Sequence, residues 1–252
     1  MKRQLILLLI ISPLCTSLVL GQREYKQSKF SIGVNFGIRE YHPAGTHSLW
    51  VLVNQEPPSE YPRSGSLSLP RHPFDFSVQL SYHLTSSFSL SFDPGFIHTA
   101  GAGNFFCYNN EYTLRWKVFA TLISLGSRFM VSFLGDGDRF RTYFVSGVDY
   151  YWGKISLRTS PFIDIETMNM SASGSGLGYH IGVEAEYFPL SKLALYYYSS
   201  YLDTGVIHEL KRNGHVLKNS DFYVPTYYPF SDDNFTLDFS KRIMSLGLRW
   251  YF

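Results

Sequence analysis

The chain has 252 residues, of which 17% are aromatic and 17% charged, against the roughly 25% charged that is usual in soluble domains. Mean hydropathy is −0.07, and beyond the N-terminal segment no apolar run reaches the roughly 18 residues a membrane-crossing helix needs. Lys and Arg number 22 against 20 Asp and Glu, so there is no basic field that would call for nucleic acid.

Met1-Lys2-Arg3 is a positive cap on the apolar run Leu5–Ile11, which continues less strictly to Leu20. Residues 1–21 are therefore expected to be a cleaved secretory signal peptide, with Gln22 as the first mature residue and 22–252 as one domain. Cys15 is preceded by Ser12-Pro13-Leu14, which lacks the pattern of a lipid-anchored cysteine. Cleavage would remove Lys2 and Arg3, leaving a mature chain of zero net charge with Cys107 as its cysteine. That argues against a disulfide framework or a cysteine-rich metal site, and no cofactor is expected.

Period-two alternation then recurs, which places successive side chains on opposite faces of a strand. Near 29–40, Phe30, Ile32, Val34, Phe36 and Ile38 share one face, with Ser31, Gly33, Asn35, Gly37 and Arg39 on the other. Over 73–84, Phe74, Phe76, Val78, Leu80, Tyr82 and Leu84 oppose Asp75, Ser77, Gln79, Ser81 and His83. After a Thr85-Ser86 turn, Phe88, Leu90 and Phe92 alternate with Ser87, Ser89, Ser91 and Asp93.

A fourth strand is expected over 111–124, with Tyr112, Leu114, Trp116, Val118, Ala120 and Leu122 outward and Arg115 and Lys117 inward. Leu125-Gly126 is read as a turn into a fifth strand at 127–134, and the Asp-Gly repeat at 135–138 as a turn into a sixth at 141–152. A turn at 152–154 would lead to a seventh at 154–165, interrupted by Pro161. The eighth, 176–188, sets Leu177, Tyr179, Ile181, Val183, Ala185 and Tyr187 against His180, Glu184 and Glu186. A ninth follows at 193–204, where Tyr196-Tyr197-Tyr198 and Tyr201 suggest an interfacial aromatic girdle. Long connections at 41–72, 98–110, 165–175 and 205–236, with a shorter one at 135–140, alternate with short turns.

The last strand ends the chain on its most apolar, most aromatic face: Met244, Leu246, Leu248, Trp250 and Phe252. The ending Ser245-Leu-Gly-Leu-Arg-Trp-Tyr-Phe252 resembles the C-terminal signature of bacterial outer-membrane β-barrels. That resemblance implies an all-β, antiparallel up-and-down barrel of ten strands, with eight as the alternative count. It also implies contact with outer-membrane lipid, and recognition of Phe252, Trp250, Leu248 and Leu246 by the barrel-assembly machinery.

The inward set is then Arg39, Asp75, His83, Asp93, Arg115, Lys117, Asp149, His180, Glu184, Glu186 and Arg249. Mixed signs in a narrow barrel point to a paired plug rather than an open pore. The expected role is a non-enzymatic envelope or surface component acting through external loops, where Trp50, Tyr61, Phe222, Tyr223, Tyr227, Tyr228 and Phe230 offer protein or ligand contacts. The alternatives are a narrow channel for small or hydrophobic solutes, or an outer-membrane hydrolase of lipid A or peptide. The hydrolase would use Ser81 and His83, His180 with the nearby glutamates, or Asp203, His208, Asp232 and Asp233. A secreted β-sandwich or lipocalin-like binder is the remaining possibility.

Overall fold

A computed structural model describes residues 28–39, 65–67, 73–107, 110–131, 139–160, 169–218, 234–239 and 243–252. Its strands in chain order are β1 (Phe30–Arg39), β2 (Gly65–Leu67), β3 (Phe74–His83), β4 (Phe88–Cys107), β5 (Asn110–Met130), β6 (Phe140–Ser160) and β7 (Asn169–Leu190). They continue as β8 (Leu193–Asp203), β9 (Val206–Ile207), β10 (Lys211–Arg212), β11 (His215–Val216), β12 (Leu237–Asp238) and β13 (Ile243–Tyr251). The expected signal peptide, the Asp-Gly repeat at 135–138, Pro161 and the aromatic residues of the first and last long loops lie outside the described residues.

Eight antiparallel strands close a ring: β1, β3, β4, β5, β6, β7, β8 and β13 each pair with the next, and β13 returns to β1. Ile32 faces Trp250, and Trp250 faces Leu193 on its other side, so the C-terminal strand is the seam. All backbone donors of a closed ring pair within the wall, the condition for crossing lipid with strands. The Phe252 N–H adds a last bond to the Phe30 carbonyl at 3.1 Å.

The expected architecture stands, with eight strands rather than ten. Two expected turns are strand interior. Gly126 pairs with Ser91 on one side and Gly147 on the other, and Gly153 pairs with Ala120 and Gly174. Glycine here makes room rather than bends: a Cβ on Gly126 would sit 2.8 Å from Ser91 Oγ, and one on Gly153 would sit 2.6 Å from Ile207 Cδ1. The fourth and fifth expected strands are thus one, as are the sixth and the described part of the seventh. With eight strands, the 131–139 connection leaves the ring at the end that holds the termini, not at the long-loop end. The segments expected as loops at 98–107 and 169–175 are strand.

Strand length divides the wall into two storeys. The strands β1, β3, β8 and β13 have 9 to 11 residues, and β4 to β7 have 20 to 22. A tilted strand crosses the hydrocarbon layer in about 9–11 residues. The long strands therefore continue about ten residues further, on the order of 30 Å of strand, at the end away from the termini.

The polarity of the two faces exchanges at that step. In the lower storey the outward side chains are apolar and exposed, among them Phe36, Leu80, Leu125, Val148, Leu177 and Leu246, while Gln79, Arg128, Glu184 and Arg249 are buried inside. In the upper storey the outward positions of β5 and β6 are Lys117, Arg115, Lys154 and Arg158, all exposed. Inward are Trp116, Val118, Ala120, Ile155 and Leu157, all buried. Side-chain alternation is unbroken; the medium outside changes from lipid to water, and the space inside is filled by apolar chain. The expectation that Trp116, Val118, Ala120 and Leu122 face lipid while Arg115 and Lys117 line the lumen is reversed for this reason.

What fills the upper storey is the segment after β8. Its described parts hold two short pairings, β9 with β12 and β10 with β11. Ile207, Leu210, Leu217, Phe235, Leu237 and Phe239 form one buried cluster with Trp116, Ile155, Leu157 and Met170 of the wall. The Phe239 ring stacks on Tyr151 at 5.5 Å. Gly174, Gly176 and Gly178 of β7 let this chain lie directly against the wall: a Cβ on Gly176 would come within 2.1 Å of the Val206 carbonyl oxygen.

Candidate functional site: the lumen and its external cap

At the lower level, Ser31 Oγ and His83 Nε2 are 2.9 Å apart, and the His83 ring lies 5.3 Å from Tyr251. Above them four charged side chains from three strands meet across the lumen. Arg128 of β5 bonds Glu184 and, at 2.8 Å, Glu186, both of β7. Arg249 of β13 bonds Glu184 through Nη1 at 2.7 Å and Nη2 at 3.0 Å, and also bonds Glu186 and the Gln79 side-chain carbonyl. The Tyr251 hydroxyl lies 2.8 Å from both Glu186 oxygens. Aromatic faces close the cluster: Arg128 Cζ sits 4.2 Å from the Tyr143 centroid and Arg249 Cζ 4.1 Å from that of Tyr196.

Glu184 and Glu186 converge because residues two apart on a strand share a face. The guanidiniums reach them from either side: β5 faces β7 across β6, and β13 faces β7 across β8. Arg128, Glu186 and Arg249 are fully buried and Glu184 is 1% exposed. Charges so far from water persist only when paired and hydrogen bonded.

A second network lies above. His180 Nδ1 is 2.9 Å from Asp149 Oδ2. The Tyr151 hydroxyl donates to Asp203 at 3.2 Å and to Asp149 at 3.4 Å. Asp203 Oδ1 also accepts from the Gly205 N–H at 3.0 Å, which ties the polar lumen to the start of the cap. Asp93 accepts from Gln79 at 3.0 Å and from Ser91 at 3.3 Å. Between the two networks is a cavity of about 70 Å³, lined among others by Asp75, Asp93, Ser124, Asp149 and Tyr198. That is room for a few waters.

Of the expected lumen residues, Asp75, His83, Asp93, Asp149, His180, Glu184, Glu186 and Arg249 point inward. Arg115 and Lys117 do not: both are on the outer wall of the upper storey and exposed. Arg39 ends β1, and its side chain lies outside the described residues. Gln79 is inward as its alternation indicates; Arg128, Asp203, Tyr143 and Tyr196 also belong to the lumen, although they are not in the expected inward set. Tyr196 and Tyr198 point inward rather than into an interfacial girdle, whereas Tyr197 and Tyr201 are exposed. For the hydrolase alternative, His83 meets Ser31 rather than Ser81, and His180 meets Asp149. Asp203 is turned inward onto Tyr151 while His208 is exposed, and Asp232 and Asp233 lie outside the described residues. Among the described residues no group of three His, Cys, Asp or Glu could hold a metal ion.

A closed antiparallel ring, apolar on the outside of its lower storey and ion-paired within, defines a transmembrane β-barrel of the bacterial outer-membrane type. No protein-family model and no curated protein matches the sequence. Among solved structures the fold is similar to a major outer membrane protein from Thermus thermophilus (12% identity, 88% of this chain and 99% of that one, TM-score 0.49). It is also similar to Ail, the attachment invasion locus protein of Yersinia pestis (10% identity, 90% and 99%, TM-score 0.45), and to Neisserial surface protein A (12% identity, 89% and 98%, TM-score 0.42). Likeness at this level is one of general architecture.

Proposed function

We propose that this barrel is a non-enzymatic envelope component, closed to solutes along its axis and acting through its capped external end. The observation that carries this reading is the Arg128–Glu184–Glu186–Arg249 cluster, which spans the lumen inside the membrane storey. An eight-stranded ring has an interior that side chains just fill, and the apolar cap covers the same axis a second time. The long strands and the cap extend folded chain beyond the membrane storey, which supports a role in protein or ligand contacts there. In planar bilayers the purified barrel should give no discrete conductance steps. Reproducible steps would show a narrow channel instead and overturn the closed-lumen reading.

The outward stripe Leu246, Leu248, Trp250 and Phe252 serves in this reading as the segment the assembly machinery recognises. It is exposed on the seam strand, where the last pairing of the ring must form. Phe252→Ser keeps the backbone bond to Phe30 but removes the ring. We expect it to lower folded barrel in cells several-fold, on the order of 1 kcal/mol of assembly preference, read as the heat-modifiable band on a detergent gel. An undiminished band would remove that role.

A further inference from the structure

We infer that the outer wall of the upper storey carries a binding shelf for the phosphate-bearing headgroup of a membrane lipid. Arg115 of β5 stands directly opposite Arg158 of β6, Lys117 opposite Ser156, and Lys154 opposite Phe119. Lys154 also pairs with Ser173 of β7, which pairs in turn with Lys211 of β10. The result is an exposed basic band across neighbouring strands.

Like charges directly across a strand pair are destabilising, so the Arg115–Arg158 juxtaposition is a cost that an anion would relieve. Lys211 meets Glu209 at 3.8 Å, but Arg115, Lys117, Lys154 and Arg158 form no ion pair among the described residues. Apart from Phe119 opposite Lys154, the band's other cross-strand neighbours with described side chains are small or hydroxylic. Ala100 and Ala102 face Lys117 and Arg115 from β4, while Ser156 and Ser173 add donors. The guanidinium fork suits phosphate oxygens, and the lysines add point charge.

Position decides the kind of anion. On β5 the band begins at Lys117, one outward position beyond Phe119, and on β6 at Lys154, one beyond Trp152. Phe119 and Trp152 are 42% and 49% exposed, and Leu177 of β7 lies opposite Tyr150, one outward position below Trp152. Aromatic residues at this height mark the membrane–water interface. An amphiphile could set its phosphates on the band and its acyl chains on the apolar wall below. A soluble polyanion would use the charges and leave the wall unused. The inference rests on the membrane placement of the lower storey and is independent of whether the lumen is closed.

The test is native mass spectrometry of the barrel in neutral detergent, titrated separately with diphosphoryl lipid A, its dephosphorylated form and heparin. Diphosphoryl lipid A should bind at least about tenfold more tightly than either other probe, and the preference should weaken as ionic strength rises. The combined variant Arg115→Gln, Lys117→Gln, Lys154→Gln and Arg158→Gln should lose that preference while keeping its heat-dependent gel shift. Should that variant not fold, Lys117→Gln with Lys154→Gln and the salt titration of the parent barrel carry the same reading. Equal binding of the dephosphorylated lipid, or an unaffected variant, would overturn the proposal. Heparin binding as tightly as the lipid would reassign the band to soluble polyanions. Absence of a gel shift in the parent would instead overturn the barrel reading.

Discussion

Glu184→Ala should lower the unfolding free energy of the barrel by about 3–5 kcal/mol, the usual cost of removing one partner from a buried ion cluster. Glu184 accepts from Arg128 and from both terminal nitrogens of Arg249. Without it, two buried guanidiniums share Glu186 and the neutral groups of Gln79 and Tyr251. The penalty arises from desolvated charge rather than from a lost contact, so it should be reversible by removing charge. Adding Arg128→Met to Glu184→Ala leaves one cation facing one carboxylate and should recover at least about half of the loss. Urea unfolding in detergent micelles, followed by gel mobility, measures both variants. A single variant within about 1 kcal/mol of the parent would mean that the lumen is wet enough to solvate the arginines, and the plug would then be no plug.

Gly176→Val should detach the cap without opening the ring. A Cβ at Gly176 would approach the Val206 carbonyl oxygen to 2.1 Å, and at neighbouring Gly174 the Glu209 carbonyl lies equally close. Both obstacles are backbone, so neither can be relieved by a change of rotamer. The segment from Gly205 must move away, taking Ile207 and its contacts with Leu237 and Phe239 out of the apolar cluster. Overpacking costs about 1–3 kcal/mol, enough to expose the described cap residues 205–218 and 234–239 to protease on the order of tenfold faster. Ser175→Val, one residue away but outward, is the control and should leave the rate unchanged. The ladder between β7 and β8 begins at His180, below the disturbance, so the gel shift should survive. Equal proteolysis of both variants would show that the cap does not depend on this glycine track.

The lower storey is legible in the sequence because each of its strands obeys one rule: apolar toward lipid, polar toward the lumen. Phe30 to Ile38, Phe74 to Tyr82, Leu177 to Tyr187 and Met244 to Phe252 all face as their alternation indicates. The rule fails in β5, where the set Trp116, Val118, Ala120 and Leu122 continues into Ser124, Gly126 and Arg128. That face passes from apolar to charged because its surroundings pass from a protein core to a polar lumen. A turn at Leu125-Gly126 would hide the exchange and with it Arg128. Read as continuous, the strand shows both faces changing character near residues 119–122. Likewise Tyr196 and Tyr198 resemble girdle residues because tyrosine is at home in either place. Their facing follows from the opposite strand: Tyr196 lies over Gly247, where a Cβ would sit 2.4 Å from its ring. Long-range pairing of that kind is not local information.

The exchange of polarity between the storeys is open to single-cysteine labelling in intact cells. With Cys15 and Cys107 both replaced by serine, Lys117→Cys and Lys154→Cys lie outward above the step, and Ile123→Cys and Val148→Cys lie outward below it. A membrane-impermeant maleimide added outside should label the first two and leave the second two unmodified until the cells are dissolved and the barrel is denatured. Equal labelling of positions 123 and 117 before denaturation would place both in water and rule out the exchange.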